Sequence, residues 1–341
     1  MYHRSFRCFI FATKITRSQQ TRTFLLPLRT SVMRGFSSSI TSEQSELKNS
    51  FPSQQSHGVS CCQGKLKNNE DRYDIIKKLV PGFSYFAVFD GHRGHFGADF
   101  LRNELSGILA KNIFPDESLA AQGKELVENS FETCEHLLEV EILANDFEKK
   151  ERDHIGTTAL TALISEKSEL LIGQTGDSHA ILCRAGSPLA LVDDHTPNNE
   201  NEVTRIEKEG GWIDWDTKLV PYVNGVLSMT RSFGNILLRK SGVTHTPCHR
   251  LVELDADNDQ FLVLCTDGVS NWITDEEIVE IVLQHSDAQE SADALTCCAR
   301  QYGSTDDATA IVVTLNAWNK RVSGDRKIER NFLRANILKR D

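Results

Sequence analysis

An aspartate closes an apolar, strand-like run twice in this chain, at Asp90 in SYFAVFDGH and at Asp267 in QFLVLCTDG. Gly follows in both, so an ordinary Asp-Gly turn accounts for either one taken alone. Three further acidic sites stand in comparable places: Asp306 before the apolar run of STDDATAIVV, Asp177 beside Gly in LIGQTGDSHAIL, and Glu70 with Asp71 in KNNEDR. If these strand ends meet at one end of a sandwich, the carboxylates repel one another and rise in pKa unless a cation neutralises them. Oxygen-only donors of this kind select hard divalent ions, Mg²⁺ or Mn²⁺, over zinc. Two such ions about 3.5–4 Å apart can clamp the oxygens of a phosphate during an in-line displacement, which is the chemistry of a hydrolase.

The elements that must position these acids are legible as periodicity. Strands are expected at 84–89, 157–165, 169–175, 178–184, 260–265 and 308–315, several joined by short Gly- or Ser-bearing links that favour antiparallel pairing. Helical spacing marks about 96–113, 118–149, 199–209, 274–285 and 288–301, and Thr274 with Glu277 forms a capping box. Strands in runs and helices in pairs point to two packed antiparallel sheets with helices outside, not to a βαβ nucleotide fold. No GxxxxGK[ST] and no Gly-rich loop followed by a strand Lys supports kinase or P-loop chemistry. His92 and His95 have a spacing seen at zinc sites, but no Cys or further His accompanies them.

Charge and cysteine usage narrow the class further. The first 42 residues carry seven Lys or Arg and no acid; without them the chain's net −10 becomes −17, which disfavours a nucleic-acid surface and suits a protein that gathers cations. That basic, Ser/Thr-rich leader reads as a mitochondrial transit peptide over 1–36, with RGFSSS (34–39) as its processing region. Its apolar pieces CFIFA and FLLPL are too short for a membrane span, so no transmembrane segment is expected. Residues 37–57 read as a flexible linker, 58–318 as the catalytic domain, and 319–341 as a basic tail whose Ile328, Phe332, Leu333 and Ile337 allow an amphipathic helix. Nine cysteines, four of them in two adjacent pairs and none in a C-x-x-C, suggest neither a zinc ribbon nor a disulfide framework; Cys183 and Cys265 read as core.

The ordered set NEDR (69–72), FDGH (89–92), GTTA (156–159), GDS (176–178), DHTP (194–197), GG (210–211), MTRSFG (229–234), TDG (266–268) and DDAT (306–309) resembles the metal-dependent protein phosphatases of the protein phosphatase 2C family, most closely its mitochondrial matrix branch. The resemblance implies an α+β fold, a four-layer α/β/β/α sandwich of two antiparallel sheets flanked by helix pairs. It implies hydrolysis of phosphoserine and phosphothreonine in proteins with two Mn²⁺ or Mg²⁺ ions, by a monomer located in the mitochondrial matrix. Asp90 would bridge the ions, the Gly91 carbonyl and Glu70 would join one, and Asp267 and Asp306 the other. Asp71 would orient the attacking water, and Asp177 would contribute with Asp267 to a weaker third position. His92, titrating near neutrality, would protonate the leaving seryl oxygen. Residues 212–224 would be a mobile flap beside the cleft. The branched-chain 2-oxoacid dehydrogenase complex is the first substrate to expect.

Several positions depart from the pattern. Leu66 stands where the family has an Arg that holds the substrate phosphate, Arg93 interrupts the usual DGHGG, and His179 replaces the Arg of GDSR. Val226 replaces another Arg, Asn235 replaces an Asp, Asn271 stands in place of a third-metal Asp, and Asp307 replaces an Asn. If the 63–67 segment is a strand, Lys65 and Lys67 face away from the Leu66 position, so Arg93 is the better substitute grip on phosphate. An active phosphatase is therefore the leading expectation, and a catalytically weak relative that binds phosphoproteins or metal as a scaffold is the alternative.

Overall fold

The computed structural model describes residues 56–65, 68–217 and 219–318. In chain order the first elements are β1 (His57–Cys62), β2 (Arg72–Val80), β3 (Phe83–Phe89), β4 (Gly91–His92), α1 (Phe96–Asn112), α2 (Leu119–Ala144) and α3 (Lys149–Arg152). There follow β5 (Gly156–Thr157), β6 (Ala159–Ser165), β7 (Glu169–Thr175), β8 (His179–Arg184), β9 (Ser187–Ala190), α4 (Glu200–Lys208), β10 (Ile213–Trp215), β11 (Pro221–Val223) and β12 (Phe233–Gly234). A 3₁₀ turn (Ile236–Ser241), β13 (Cys248–Glu253), β14 (Asp259–Cys265), α5 (Asp267–Ser270), α6 (Asp275–Leu283), α7 (Ala288–Gln301) and β15 (Ala308–Thr314) complete the chain order.

Two five-stranded sheets, ordered β1-β15-β14-β8-β9 and β13-β7-β6-β3-β2, carry the architecture, and every strand pair in them is antiparallel. Each central strand is apolar on both faces because each sheet is covered twice. In β3, Tyr85, Ala87 and Phe89 pack with Leu101, Leu105, Phe131 and Leu138 of α1 and α2, whereas Phe86 and Val88 meet Leu262, Leu264, Ile311 and Val313 of the other sheet. The outer faces of β14 and β15, with Phe261, Val263, Ala310 and Val312, are covered by Ile278, Val282, Ala292 and Leu295 of α6 and α7. Helix pair, sheet, sheet, helix pair is the expected four-layer sandwich. Three of the four outer helices begin at side-chain caps: Ser118 and Glu169 take N–H groups of α2, the Thr274/Glu277 capping box opens α6, and Asp287 caps α7.

The expected boundaries shift in four places. The strand expected over 157–165 breaks at Thr158, so that β5 joins a small sheet with β4 and β12 while β6 enters the main sheet. The helix expected to 149 ends at Ala144, where Asn145 turns extended and Phe147 folds back to pack on Phe96 at 5.0 Å. Ordered pairing starts at His57, within the stretch read as linker, and β1 ends at Cys62, so Lys65 lies in a bend and not in a strand. Residues 212–224, read as a flap, contain the β10–β11 hairpin, closed by Asn224 N–H on the Trp212 carbonyl at 2.8 Å. The leader 1–36, the tail 319–341 and Leu66 lie outside the described residues. Among the described residues no helix is long and apolar enough to cross a membrane, and all eight cysteines are free, with Cys183 and Cys265 fully buried.

Candidate active site

Strand ends from both sheets deliver the acids to one edge. Asp90 leaves β3 and Asp267 leaves β14, while Asp306 precedes β15 and Asp177 sits in the turn between β7 and β8. Thr158, at the break between β5 and β6, ties two of these ends together. Its backbone N–H donates to the Asp90 carbonyl at 2.8 Å, its hydroxyl accepts the Asp90 N–H at 2.9 Å, and the same hydroxyl lies 2.8 Å from Ser178 Oγ. His195 clamps the Gly176 backbone beside Asp177 from both sides: its N–H donates to the Gly176 carbonyl at 3.2 Å and its Nδ1 accepts the Gly176 N–H at 3.1 Å. Glu70 reaches across the turn after Asp90 and takes the Gly94 N–H on Oε1 at 2.9 Å. Gly91 is needed there because a Cβ would lie 2.6 Å from the Glu70 carbonyl oxygen. Arg72 fastens this segment to α1 by pairing with Asp99 while donating to the Asn69 and Asp71 carbonyls at 2.9 and 2.7 Å.

The electrostatics are those of carboxylates held too close together. Burial and the charges of Asp71, Asp267, Asp177 and Asp306 push Asp90 well above the ordinary carboxylate range. Burial and then Asp306 raise Asp267 to about 6, while burial and then Asp267 and Asp194 raise Asp177 well above its usual range. Asp71, 2 % exposed, is pushed up to about 7 by burial, although its Oδ2 accepts the hydroxyls of Thr309 and Thr266 at 2.7 and 2.9 Å. Glu70 and Asp306 are raised as well, by burial first and then by Asp307. The Oδ1 of Asp177 is buried without a hydrogen-bond partner.

Six carboxyl groups sharing one pocket, one with an orphaned oxygen, fit hard divalent cations: all donors are oxygen, and a cation relieves the mutual repulsion. Among the described residues no three His, Cys, Asp or Glu side chains are already gathered as a ready-made cage. His92 and His95 do not converge, since His92 faces Asn235 and His95 bonds Asp99 at 2.5 Å, which removes the zinc alternative.

His92 departs from its expected titration near neutrality. Its Nε2 lies 2.7 Å from Asn235 Oδ1, and Asn235 Nδ2 donates to the His154 carbonyl at 3.1 Å, so the amide presents its oxygen to the ring and the ring proton sits on Nε2. Burial, aided by the charge of Arg93 and only partly opposed by this hydrogen bond, lowers His92 to about 4. A neutral amide accepts the N–H but supplies no charge to hold an imidazolium. His179 behaves in the opposite way. Burial works against its charge, but Asp194 at 3.2 Å and Asp275 at 3.1 Å push it up to about 9, so a cation persists where the family has Arg. Arg93 is exposed, stands at φ 60°, and makes no hydrogen bond or ion pair among the described residues.

The structure thus brings Glu70, Asp71, Asp90, Asp177, Asp267 and Asp306 together, with His92 and Arg93 in the adjoining turn. Sequence reasoning gave no role to Thr158, Thr266, Thr309 or His195, although all four lie inside the motifs GTTA, TDG, DDAT and DHTP. Thr266, Thr309 and His195 were signalled only by standing within two residues of an acid, and Thr158 had no acidic neighbour to mark it.

The model of the family described as protein phosphatase 2C matches residues 55–308. Protein phosphatase 1K, mitochondrial, of Xenopus laevis is 38% identical over 272 residues, 79% of this chain and 70% of that protein. Probable protein phosphatase 2C 59 of Oryza sativa subsp. japonica is 34% identical over 262 residues, covering 76% of this chain and 75% of the relative. Among solved structures, a serine-threonine phosphatase 2C from Toxoplasma gondii superposes with a TM-score of 0.67 at 21% identity over 76% of this chain and 95% of that one, a likeness of fold.

Proposed function

The chain belongs to the protein phosphatase 2C family, whose members are metal-dependent serine/threonine phosphatases, and from that premise we propose that it dephosphorylates phosphoserine and phosphothreonine in mitochondrial matrix proteins. The observation that carries this reading is the convergence of Asp90, Asp267, Asp306, Asp177 and Glu70 on one sandwich edge with their pKa values raised. These acids and the Gly91 carbonyl would hold a pair of Mn²⁺ or Mg²⁺ ions, which would supply Lewis-acid activation of water and of the phosphoryl group. Asp177 and Asp267 would hold a weaker third ion. Asp71 keeps Oδ2 on Thr266 and Thr309, and its Oδ1, which has no protein hydrogen bond, orients the attacking water. His92 stands in the same turn as the donor of a proton to the leaving seryl oxygen, and Arg93 binds the phosphate from the rim.

Similarity to a mitochondrial relative, together with the basic leader, supports a mitochondrial address, and the family resemblance makes a 2-oxoacid dehydrogenase complex of the matrix, the branched-chain one first, the substrate to test. The test is phosphate release from a phosphoseryl protein in Mn²⁺ or Mg²⁺. Chelation and Asp90→Asn should each abolish it, and turnover that survives both would defeat the metal mechanism.

The pairing of His92 with Asn235 favours a second reading, a weak phosphatase that retains phosphoproteins. Its own outcome is tight phosphopeptide binding with trace turnover at saturating Mn²⁺.

A further inference from the structure

We propose that Asp307 is the positioning residue that holds Glu70, and with it the metal centre, in place; this rests on the metal-phosphatase reading above. Asp307 is 4% exposed and sits where three acid-bearing segments meet. Its Oδ1 accepts the Gly64 N–H at 2.6 Å and its Oδ2 accepts the Glu70 N–H at 2.6 Å, so one carboxylate grips both ends of the loop between β1 and β2. Its own N–H donates to Asp306 Oδ1 at 2.8 Å. Its carbonyl lies so close to Gly268, next to Asp267, that a Cβ on that glycine would fall 1.8 Å from it. The loop rests on the same backbone: Lys65 N–H donates to the Thr305 carbonyl at 2.8 Å, and a Cβ at Gly64 would come within 2.3 Å of the Asp306 carbonyl carbon.

Two N–H donors converge on this side chain, one on each oxygen, an arrangement that a carboxylate accepts and a carboxamide in the same pose does not. An amide has one acceptor oxygen, and its NH₂ would face the second N–H with nothing to receive it. The Asp found here in place of an Asn is therefore matched to its surroundings. Its extra negative charge, placed against the Glu70 backbone and beside Asp306, also increases the demand of the pocket for a cation. Asp307 touches no reacting atom; it acts through Glu70, Asp306 and the turn at Gly268.

The experiment titrates Mn²⁺ into metal-free wild type and metal-free Asp307→Asn by calorimetry, and follows amide hydrogen exchange at Gly64 and Glu70. Asp307→Asn should weaken the Kd for Mn²⁺ by roughly 10- to 100-fold, the usual effect of removing a residue that orients a metal ligand. It should also speed exchange at one or both amides. A merely structural residue would lower the thermal midpoint of the variant and leave its Mn²⁺ Kd unchanged, and that result overturns the proposal. Should the variant fail to fold, wild type decides: the Gly64 and Glu70 amides should be protected and should slow further on Mn²⁺ saturation, and free exchange at both overturns it. Wild type that binds no Mn²⁺ defeats the metal reading itself, whereas tight Mn²⁺ binding equal in the two proteins defeats only the role of Asp307.

Discussion

Arg93→Gly separates substrate binding from stability, because the structure gives the two effects opposite directions. Arg93 holds a left-handed backbone, φ 60°, at the turn between Asp90 and α1, with its guanidinium free. A side chain in that region costs about 1–2 kcal/mol, which Gly avoids, and the greater freedom of Gly in the unfolded chain takes back roughly 0.5–1 kcal/mol. The variant should therefore be as stable as wild type or slightly more so in a urea titration. A guanidinium hydrogen-bonded to a phosphate contributes about 1.5–3 kcal/mol, and the exposure of Arg93 points to the lower end. KM for a phosphoprotein should rise roughly tenfold, since 1.4 kcal/mol is a factor of ten. Turnover at saturating substrate should not fall, because the Arg93 charge is one of the influences that lower His92. Leu66→Arg in that background should recover part of the loss by restoring the grip the family uses. The assay is steady-state phosphate release at saturating Mn²⁺. An unchanged KM together with trace turnover in wild type would refute the reasoning and put the scaffold reading first.

Metal-free protein should lose stability as pH rises from about 4 towards 7, the reverse of a salt-bridged acid. Asp71 at about 7 and Asp267 at about 6 favour the proton in the folded state, so this stability is complete below the unfolded carboxylate value and is lost as pH passes through the folded ones. Thermal midpoints across that window should fall without metal and flatten with Mn²⁺; a rising midpoint in chelator contradicts the crowded-acid picture. Gly156→Ala should abolish turnover, because its Cβ would fall 2.4 Å from His92 Nε2 and 2.3 Å from Asn235 Oδ1; unimpaired kinetics would show that this pair has no part in the reaction. Deleting residues 1–36 should leave the protein in the cytosol on fractionation, and continued import would place the address elsewhere.

Asp90 and Asp267 were legible because each closes a continuous apolar run, and a carboxylate at such a place needs a reason; Asp306, Asp177 and Glu70 were legible as further acids at strand edges. What could not be read were the contacts that hold them. Thr158 breaks an otherwise continuous strand pattern because its partners are Asp90, 68 residues away, and Ser178 across the sheet. Asp307 is tied to Glu70 over 237 residues, and Thr309 to Asp71 over 238. No local window contains either pair. The overlong helix has a similar cause: residues 145–149 keep a helical pattern, but burying Phe147 against Phe96 wins over continuing the last turn.

The departures from the family pattern looked equivalent as letters and separate in three dimensions. His179 keeps the positive charge that Arg would have provided, because two aspartates hold its proton, so that substitution conserves the electrostatics. Asn235 keeps the hydrogen bond to His92 but not the charge, so that substitution does not. The acids that would hold the two principal ions are intact in both respects, and only the third position loses one, to Asn271. Apart from the phosphate grip lost at Leu66, any deficit of this enzyme should therefore lie in proton donation to the leaving group and not in the two-ion site, and substrates whose leaving oxygen needs little protonation reveal it. An aryl phosphate, with its acidic leaving group, should be hydrolysed at a rate nearly indifferent to Asn235→Asp, while a phosphoseryl peptide should gain from that change. Equal gains on both substrates would mean that Asn235 acts on the fold of the site and not on the proton.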